Sequence, residues 1–330
     1  MTQDIVSIEP KKLARIGLER LPVVILDAGE NATRAFLEFF TASIRNKNTR
    51  VAYARACSRF LDWCDDRGLR LNQIEPMVVA AYIEHLGGEQ NPKKLAAASV
   101  KQHLAAIRML FDYLTTQHIM QVNPGRSVRG PKHVVVEGVT TAFDVKQARA
   151  LLDSIDTGIL IGLRDRAIIA TLIYTAGRVG AVVNLRVKDF AQDGTQWCLR
   201  FGEKGGKRRK IPCRHYLEQY IHDYLAAAEV ALEKDAPLFR SFDRQRKITA
   251  RAIHRVEVHN MLKRRLRKAG LPLNLSSHSF RATTATDLLT QGVSLEDVQY
   301  LLGHADPRTT RLYDRRKKEV TRNIVERISI

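Results

Sequence analysis

Between Asn31 and about Met120 apolar residues return every three or four positions, in the segments ATRAFLEFFTASI, TRVAYARACSRFLDWCDD, PMVVAAYIEHL and KKLAAASVKQHLAAIRMLFDYLTTQ. That period belongs to helices that bury one face. The punctuation agrees: Thr49 offers a cap to the second helix, Gly68 follows its end, Pro76 opens the third, and Gly87 with Gly88 closes it. The pattern predicts an all-helical bundle over residues 31–121, preceded by an extension over residues 1–30. It breaks down in VNPGRSVRGPKHVVVEG, Val122 to Gly138, where proline, glycine and basic residues mix without helical repeat. Such a stretch reads as an extended basic linker, taken here as residues 122–140.

Residues 141–330 are organised differently. Helical segments DVKQARALLDSI and LRDRAIIATLIYTAG precede two strand-like runs, around WCLRF and RRKIP, joined by the turn EKGGK. Helical pattern then resumes in HYLEQYIHDYLAAAEVALEK, in the strongly basic ITARAIHRVEVHNMLKRRLRKAG, in HSFRATTATDLLTQG, in SLEDVQYLLG and in a last segment from Pro307. The fold class that follows is mainly α with a small antiparallel β-sheet, in two domains. A chain of 330 residues can bury two separate cores.

Charge narrows the partner. Lys and Arg number 54 against 35 Asp and Glu, a formal net charge of +19, which points to a polyanion such as nucleic acid. A membrane surface is the competing anion. The longest apolar runs, Val23 to Leu26 and Met77 to Ile83, are far short of the roughly 18 residues a span needs. The start, MTQDIVSIEPKK, lacks the pattern of a secretory signal, so a cytoplasmic protein is expected. Cys57, Cys64, Cys198 and Cys213 form neither CxxC pairs nor a dense framework, and are expected as reduced core residues.

Polar residues cluster in the second domain where a core explanation is poor. Arg178 follows an apolar helix and a glycine in YTAGRVGAVVNL. The turn FGEKGGKRRKIP carries Lys204 and Lys207 at its tip. It is no phosphate-binding Walker loop, because the spacing from Gly202 is wrong and Arg208 stands where Ser or Thr must bind magnesium. In HSFR, His278 and Arg281 lie three apart at a helix start and share a face, a proton carrier beside a bidentate phosphate ligand. In LLGHADPRTTRLYDRR, His304 follows Gly303, Asp306 and Pro307 start a new helix, and Tyr313 comes two turns on.

In this order the motifs resemble the tyrosine recombinase family. Its signature is an arginine, a hairpin lysine, His-x-x-Arg, then His or Trp, then Tyr. The matching positions are Arg178, Lys204, His278 with Arg281, His304 and Tyr313. The resemblance covers the whole second domain (141–330, the tail being 314–330), and the helical bundle looks like the family's core-binding domain. It implies a site-specific recombinase or integrase that cuts and rejoins DNA through a 3′-phosphotyrosyl intermediate without metal, cofactor or ATP. The two arginines would grip the scissile phosphate, His304 would donate to it, His278 would act as general base, and Lys204, with Lys207 as fallback, would protonate the leaving 5′ oxygen. A phenol's reference pKa is about 10, so the nucleophile must lose its proton as it attacks. One departure stands out: many relatives carry glutamate three residues after the first arginine, and here the position is Ala181.

The rival readings are a type IB topoisomerase, which reseals its own strand, and a non-catalytic DNA-binding regulator. The expected partners are double-stranded DNA bearing a specific recombination site and three further copies of the chain on two such sites, with an accessory protein or second recombinase possible. In DRRKKEVTRNIVERISI, Val320, Ile324 and Ile328 recur every four residues. They form a face that the resemblance assigns to docking on a neighbouring protomer, although the period alone allows folding back on the same chain.

Overall fold

The structure, a computed structural model, describes residues 18–132, 141–202 and 208–314. The chain divides into two compact units, Met1–Val134 and Val135–Ile330, and the boundary falls inside the stretch read as a linker. Among the described residues no helix is long and apolar enough to cross a membrane.

The first unit contains α1 (Val23–Leu26), α2 (Glu30–Glu38) running into a π-helical turn (Phe39–Ser43), α3 (Lys47–Asp65), α4 (Pro76–Gly87) and α5 (Ala97–Thr116). Their apolar faces meet in a core rich in aromatics, where Phe36, Phe40, Phe60, Tyr82 and Phe111 pack largely edge to face. Leu18, Val24 and Ile25, upstream of the expected bundle, belong to the same core.

Three details differ from the sequence reading. The cap of α3 is Asn46, whose side chain accepts from the amides of Asn48 and Thr49, so Thr49 is a capped residue rather than the cap. Helix α5 starts at Ala97 instead of Lys93, because Asn91 ties the preceding residues into a turn: its side chain donates to the His85 carbonyl and accepts from the Lys93 amide. The start of the basic linker is packed rather than extended. The Arg108 guanidinium of α5 donates to the Gly125 and Val128 carbonyls, the Asn123 amide donates back to the Arg108 carbonyl, and Val128 is buried.

In the second unit, α6 (Val145–Asp153), capped by Asp144, precedes α7 (Leu160–Tyr174) and the short α8 (Val179–Val182). Strands β1 (Phe190–Asp193), β2 (Gln196–Gly202) and β3 (Arg208–Pro212) form an antiparallel sheet in that order, with Leu199 opposite Ile211 and Gly202 opposite Arg208. The tip between β2 and β3, with Lys204 and Lys207, lies outside the described residues. So do residues 133–140 and the tail 315–330.

Helix α9 (His215–Ala227) ends seven residues before the expected Lys234, where Glu229 turns left-handed at φ 55°. The basic segment expected as one helix begins as a strand. Ile248–Ala252 (β5) pairs antiparallel with Arg240–Phe242 (β4), and the Asp243 carboxylate between them accepts from the amides of Gln245 and Lys247. Only after this hairpin does α10 (Arg255–Lys268) start, capped by His254. Then follow α11 (Ser277–Thr290), α12 (Leu295–Leu302) and α13 (Pro307–Arg311).

Helix α7 is buried along most of its length, and its Asp165, 1% exposed, accepts from both Arg164 and Arg265 of α10. A buried charge needs such paired partners, and this one locks α7 to α10. At the far end of α7, the Thr284 hydroxyl of α11 donates to the Ile173 carbonyl at 2.7 Å. Helix α11 is held from a second side by Phe143, which stacks on Phe280 at 4.4 Å and exchanges backbone hydrogen bonds with the Thr283 hydroxyl. A small separate cluster of Ala176, Ala282, Ala285, Leu289, Val298, Leu302 and Tyr313 lies beyond the main core.

Candidate active site

The chain leaves α7 through a tight corner. The Thr175 hydroxyl donates to the Thr171 carbonyl and accepts from the Gly177 amide, and Ala176 sits at φ 46°, a left-handed conformation that a side chain rarely adopts. A Cβ on Gly177 would meet Thr175 Oγ1 at 2.9 Å and Val182 Cγ2 at 3.0 Å, so the corner closes only with glycine there. What this strain achieves is the direction of two groups. The Ala176 carbonyl turns inward, and Arg178, at the start of α8, stands exposed.

Arg281 fills the space beside that corner. It is 2% exposed, donating to the Ala176 carbonyl at 2.5 Å and also to the Leu302 carbonyl. Burial, with the neighbouring charge of Arg178, pushes its pKa down to about 10. Arg178 reaches the next carbonyl along, that of Gly303, at 3.5 Å. Thus the Gly303 carbonyl is one group that holds Arg178 where relatives carry a glutamate and this chain has Ala181. Gly303 itself is the left-handed end of α12 at φ 61°, the usual glycine terminus of a helix. It swings the chain so that His304 faces the same site, and the Gln299 side chain fixes the His304 carbonyl at 2.9 Å.

Tyr313 follows α13, is 6% exposed, and has its own carbonyl held by the Thr286 hydroxyl of α11 at 3.2 Å. Its hydroxyl lies 3.2 Å from His278 Nε2, and its ring lies nearly parallel to that of His304, at 11° and 6.0 Å between centroids. His304 Nδ1 in turn lies 2.9 Å from the Thr310 hydroxyl. Burial and the guanidinium charges of Arg281 and Arg178 lower the pKa of both histidines, that of His304 to about 4. Both rings are therefore neutral near pH 7.

Five of the six residues expected from the sequence, Arg178, His278, Arg281, His304 and Tyr313, thus converge from the α7 corner, α11, the α12–α13 loop and the end of α13; the sixth, Lys204, lies outside the described residues. Sequence reasoning missed two others. Arg209 on β3 is 7% exposed, beside the Phe201 ring, and its charge acts on both Arg281 and His304. The signal was there, since strand alternation pairs Arg209 with buried Phe201 and sets it apart from the outward Lys210, but RRK reads first as a solvated basic run. Thr310, fully buried, carried no such signal.

The arrangement joins a phenol to an uncharged base and surrounds both with guanidinium groups, which suits attack on a phosphodiester. Comparison with known proteins points the same way. The Phage integrase family model matches residues 141–319, and that of the phage integrase N-terminal SAM-like domain matches residues 35–118. The tyrosine recombinase XerC of Leptospira interrogans is 27% identical over 281 residues, which span 84% of this chain and 86% of that protein. Two solved structures share the fold. The XerH site-specific recombinase in a post-cleavage complex with palindromic difH substrate has a TM-score of 0.68 at 20% identity, over 91% of this chain and 86% of the other. A lambda integrase tetramer on a Holliday junction has a TM-score of 0.62 at 17% identity, over 89% and 82%. With a family model spanning more than half its length, the chain belongs to the phage integrase family of tyrosine recombinases.

Proposed function

We propose that this protein is a site-specific DNA recombinase that breaks and rejoins one strand at a time through Tyr313. The observation that carries the reading is the 3.2 Å approach of the Tyr313 hydroxyl to His278 Nε2 of the same chain, next to buried Arg281. A nucleophile within reach of an uncharged base can give up its proton as it attacks, geometry coming before pKa in such an assignment. On this reading the Tyr313 oxygen bonds to the scissile phosphorus, its proton passes to His278, and the bond to the 5′ oxygen breaks. Arg281 and Arg178 bind the non-bridging oxygens, and His304 donates to them as charge builds. Lys204, assigned by resemblance alone, delivers a proton to the departing 5′ oxygen. An ammonium suits that role because a guanidinium holds its proton too firmly. The product is a 3′-phosphotyrosine, and rejoining needs only a free 5′ hydroxyl from another strand.

The remaining parts follow from the same reading. The +19 charge supplies affinity for duplex DNA along its phosphates. The helical first unit serves as the core-binding domain, and four copies act on two recombination sites, as in the lambda integrase tetramer on a Holliday junction. The tail beyond Asp314 links one protomer to the next.

The test is to express the protein in a bacterium, recover DNA that stays attached under denaturing conditions, and sequence it. Duplexes carrying the recovered site are then given to purified protein in EDTA. A covalent adduct that disappears in Tyr313→Phe, and recombinants between two such sites, are expected. An adduct that persists in Tyr313→Phe refutes the reading. Relaxation of supercoils without recombinants assigns a topoisomerase instead.

A further inference from the structure

His304 is held by a side chain that the family signature does not include. Thr310 is fully buried, and its hydroxyl lies 2.9 Å from His304 Nδ1. Elsewhere in this unit the hydroxyls of Thr171, Thr175, Thr283 and Thr284 all return to the carbonyl four residues back, the usual outlet for a threonine in a helix. Thr310 turns to the imidazole instead. A threonine hydroxyl can donate or accept, and the two cases leave opposite faces on the ring. If Nδ1 donates, Nε2 is a bare lone pair that repels a phosphate oxygen. If the hydroxyl donates to Nδ1, the ring's single proton sits on Nε2.

We propose that Thr310 is a positioning residue for the strand-cleaving reaction. Its hydroxyl donates to Nδ1 of His304, fixes the Nε2–H tautomer, and holds the ring parallel to Tyr313. The inference rests on the recombinase reading for its consequence, though not for the tautomer itself. His304 is neutral in the free protein and has only one ring proton to place, so the tautomer decides whether it is a donor at all. The partner that binds the other nitrogen is the group that sets this choice. The parallel stacking, 11° between rings, follows from the same anchor: α13 carries Thr310 one turn before Tyr313, so both rings are registered to one helix.

The test uses the full chain, labelled with ¹⁵N-histidine, and long-range ¹H–¹⁵N spectra in which His304→Gln assigns the His304 signals. The wild type is expected as the Nε2–H tautomer, and Thr310→Val, which keeps the shape and removes the donor, as a mixture. On a nicked suicide duplex in single turnover, Thr310→Val is expected to slow adduct formation by up to about a hundredfold, the low end of what removing one preorganised donor costs. DNA binding should stay within about twofold, since most of it comes from other basic groups, and Thr310→Ser should restore both tautomer and rate. In a His304→Ala background Thr310→Val should change little. A wild-type Nδ1–H tautomer overturns the proposal, even if Thr310→Val fails to fold. So does Thr310→Val cleaving at the wild-type rate, or slowing cleavage as much without His304 as with it. A wild type that makes no Tyr313 adduct would sink the recombinase reading, while the spectra would still decide what Thr310 does to His304.

Discussion

On the proposed mechanism the two site arginines share one chemical task from opposite structural positions, one exposed and one buried, so truncating them should separate stability from catalysis. Arg281→Ala leaves the Ala176 and Leu302 carbonyls buried without their donor. Orphaning a buried polar group costs about 1–3 kcal/mol for each of the two, and the two methylenes lost beyond Cβ add about 1.5 kcal/mol more. Against this, the cation is itself disfavoured. Burial and Arg178 push its pKa down to about 10, and at about 1.4 kcal/mol per pKa unit its removal returns roughly 3 kcal/mol. The net is a loss on the order of 3 kcal/mol, which for a unit of this size lowers the melting temperature by about 6–12 °C. Arg178 is exposed, so Arg178→Ala should stay within about 0.5 kcal/mol of wild type. Both variants should cleave slower by about two to three orders of magnitude, as for loss of a preorganised charge donor, with duplex binding nearly kept. Thermal melts followed by circular dichroism, beside single-turnover adduct formation, read the two effects separately. A melting temperature for Arg281→Ala within about 2 °C of wild type, roughly half a kcal/mol, would refute the view that this guanidinium props the corner and loop together.

Two further outcomes follow from the site. Because the pKa of His278 is lowered, its neutral, proton-accepting form persists as pH falls, and adduct formation at subsaturating DNA should lose its acid limb only below about pH 6.5; a limb centred at pH 7 or above speaks against His278 as the base. The same sign governs folding: the stability gained by keeping His304 neutral is complete above about pH 6.5 and is lost as pH falls toward 4, which acid melts of wild type and His304→Gln would compare. A 5′-bridging phosphorothioate, whose sulfur leaves without needing a proton, should rescue Lys204→Ala; rescue of Lys207→Ala in its place moves the general acid to that lysine.

The signature could be found in the sequence because its residues are tied to local devices with fixed spacing. A helix start sets His278 and Arg281 on one face, and a glycine helix end followed by Asp306-Pro307 sets the distance from His304 to Tyr313. What the sequence hid was tertiary. Nothing local says that Arg281 would spend two of its donors on carbonyls more than twenty and a hundred residues away in the chain. Nor does it say that Thr310 would leave its own helix for an imidazole, or that the Gly303 carbonyl would take a place opposite Arg178. The β4–β5 hairpin is a different case: Ile248, Ala250 and Ala252 alternate with polar residues as a strand does, but the long helical pattern that follows overrides so short a signal until the pairing with Arg240–Phe242 is seen. Lys204 shows the converse, a residue plain in the motif whose placement lies outside the described residues.

These carbonyl partners have a consequence for how the site meets DNA. The charges that act on Arg281 from the described residues include those of Arg178 and Arg209, and its hydrogen-bond partners are the Ala176 and Leu302 carbonyls and the Tyr313 side chain. A dipole orients a guanidinium without cancelling its charge, whereas a carboxylate would do both. The two carbonyls therefore preorganise Arg281 and leave its charge in place. The lowered pKa values of Arg281, His278 and His304 come first from burial and then from repulsion among the positive groups held together there. On the proposed mechanism a phosphodiester entering between the arginines would relieve that repulsion, and the pentacoordinate transition state, with more charge on its non-bridging oxygens, would relieve it further. Binding energy would thus be weighted toward the transition state, the condition for catalysis rather than mere affinity. It also explains why the corner at Ala176 accepts a left-handed residue and the close approach at Gly177: without that bend the Ala176 carbonyl could not face Arg281, and the cation at the centre of the site would lose one of its two carbonyl anchors.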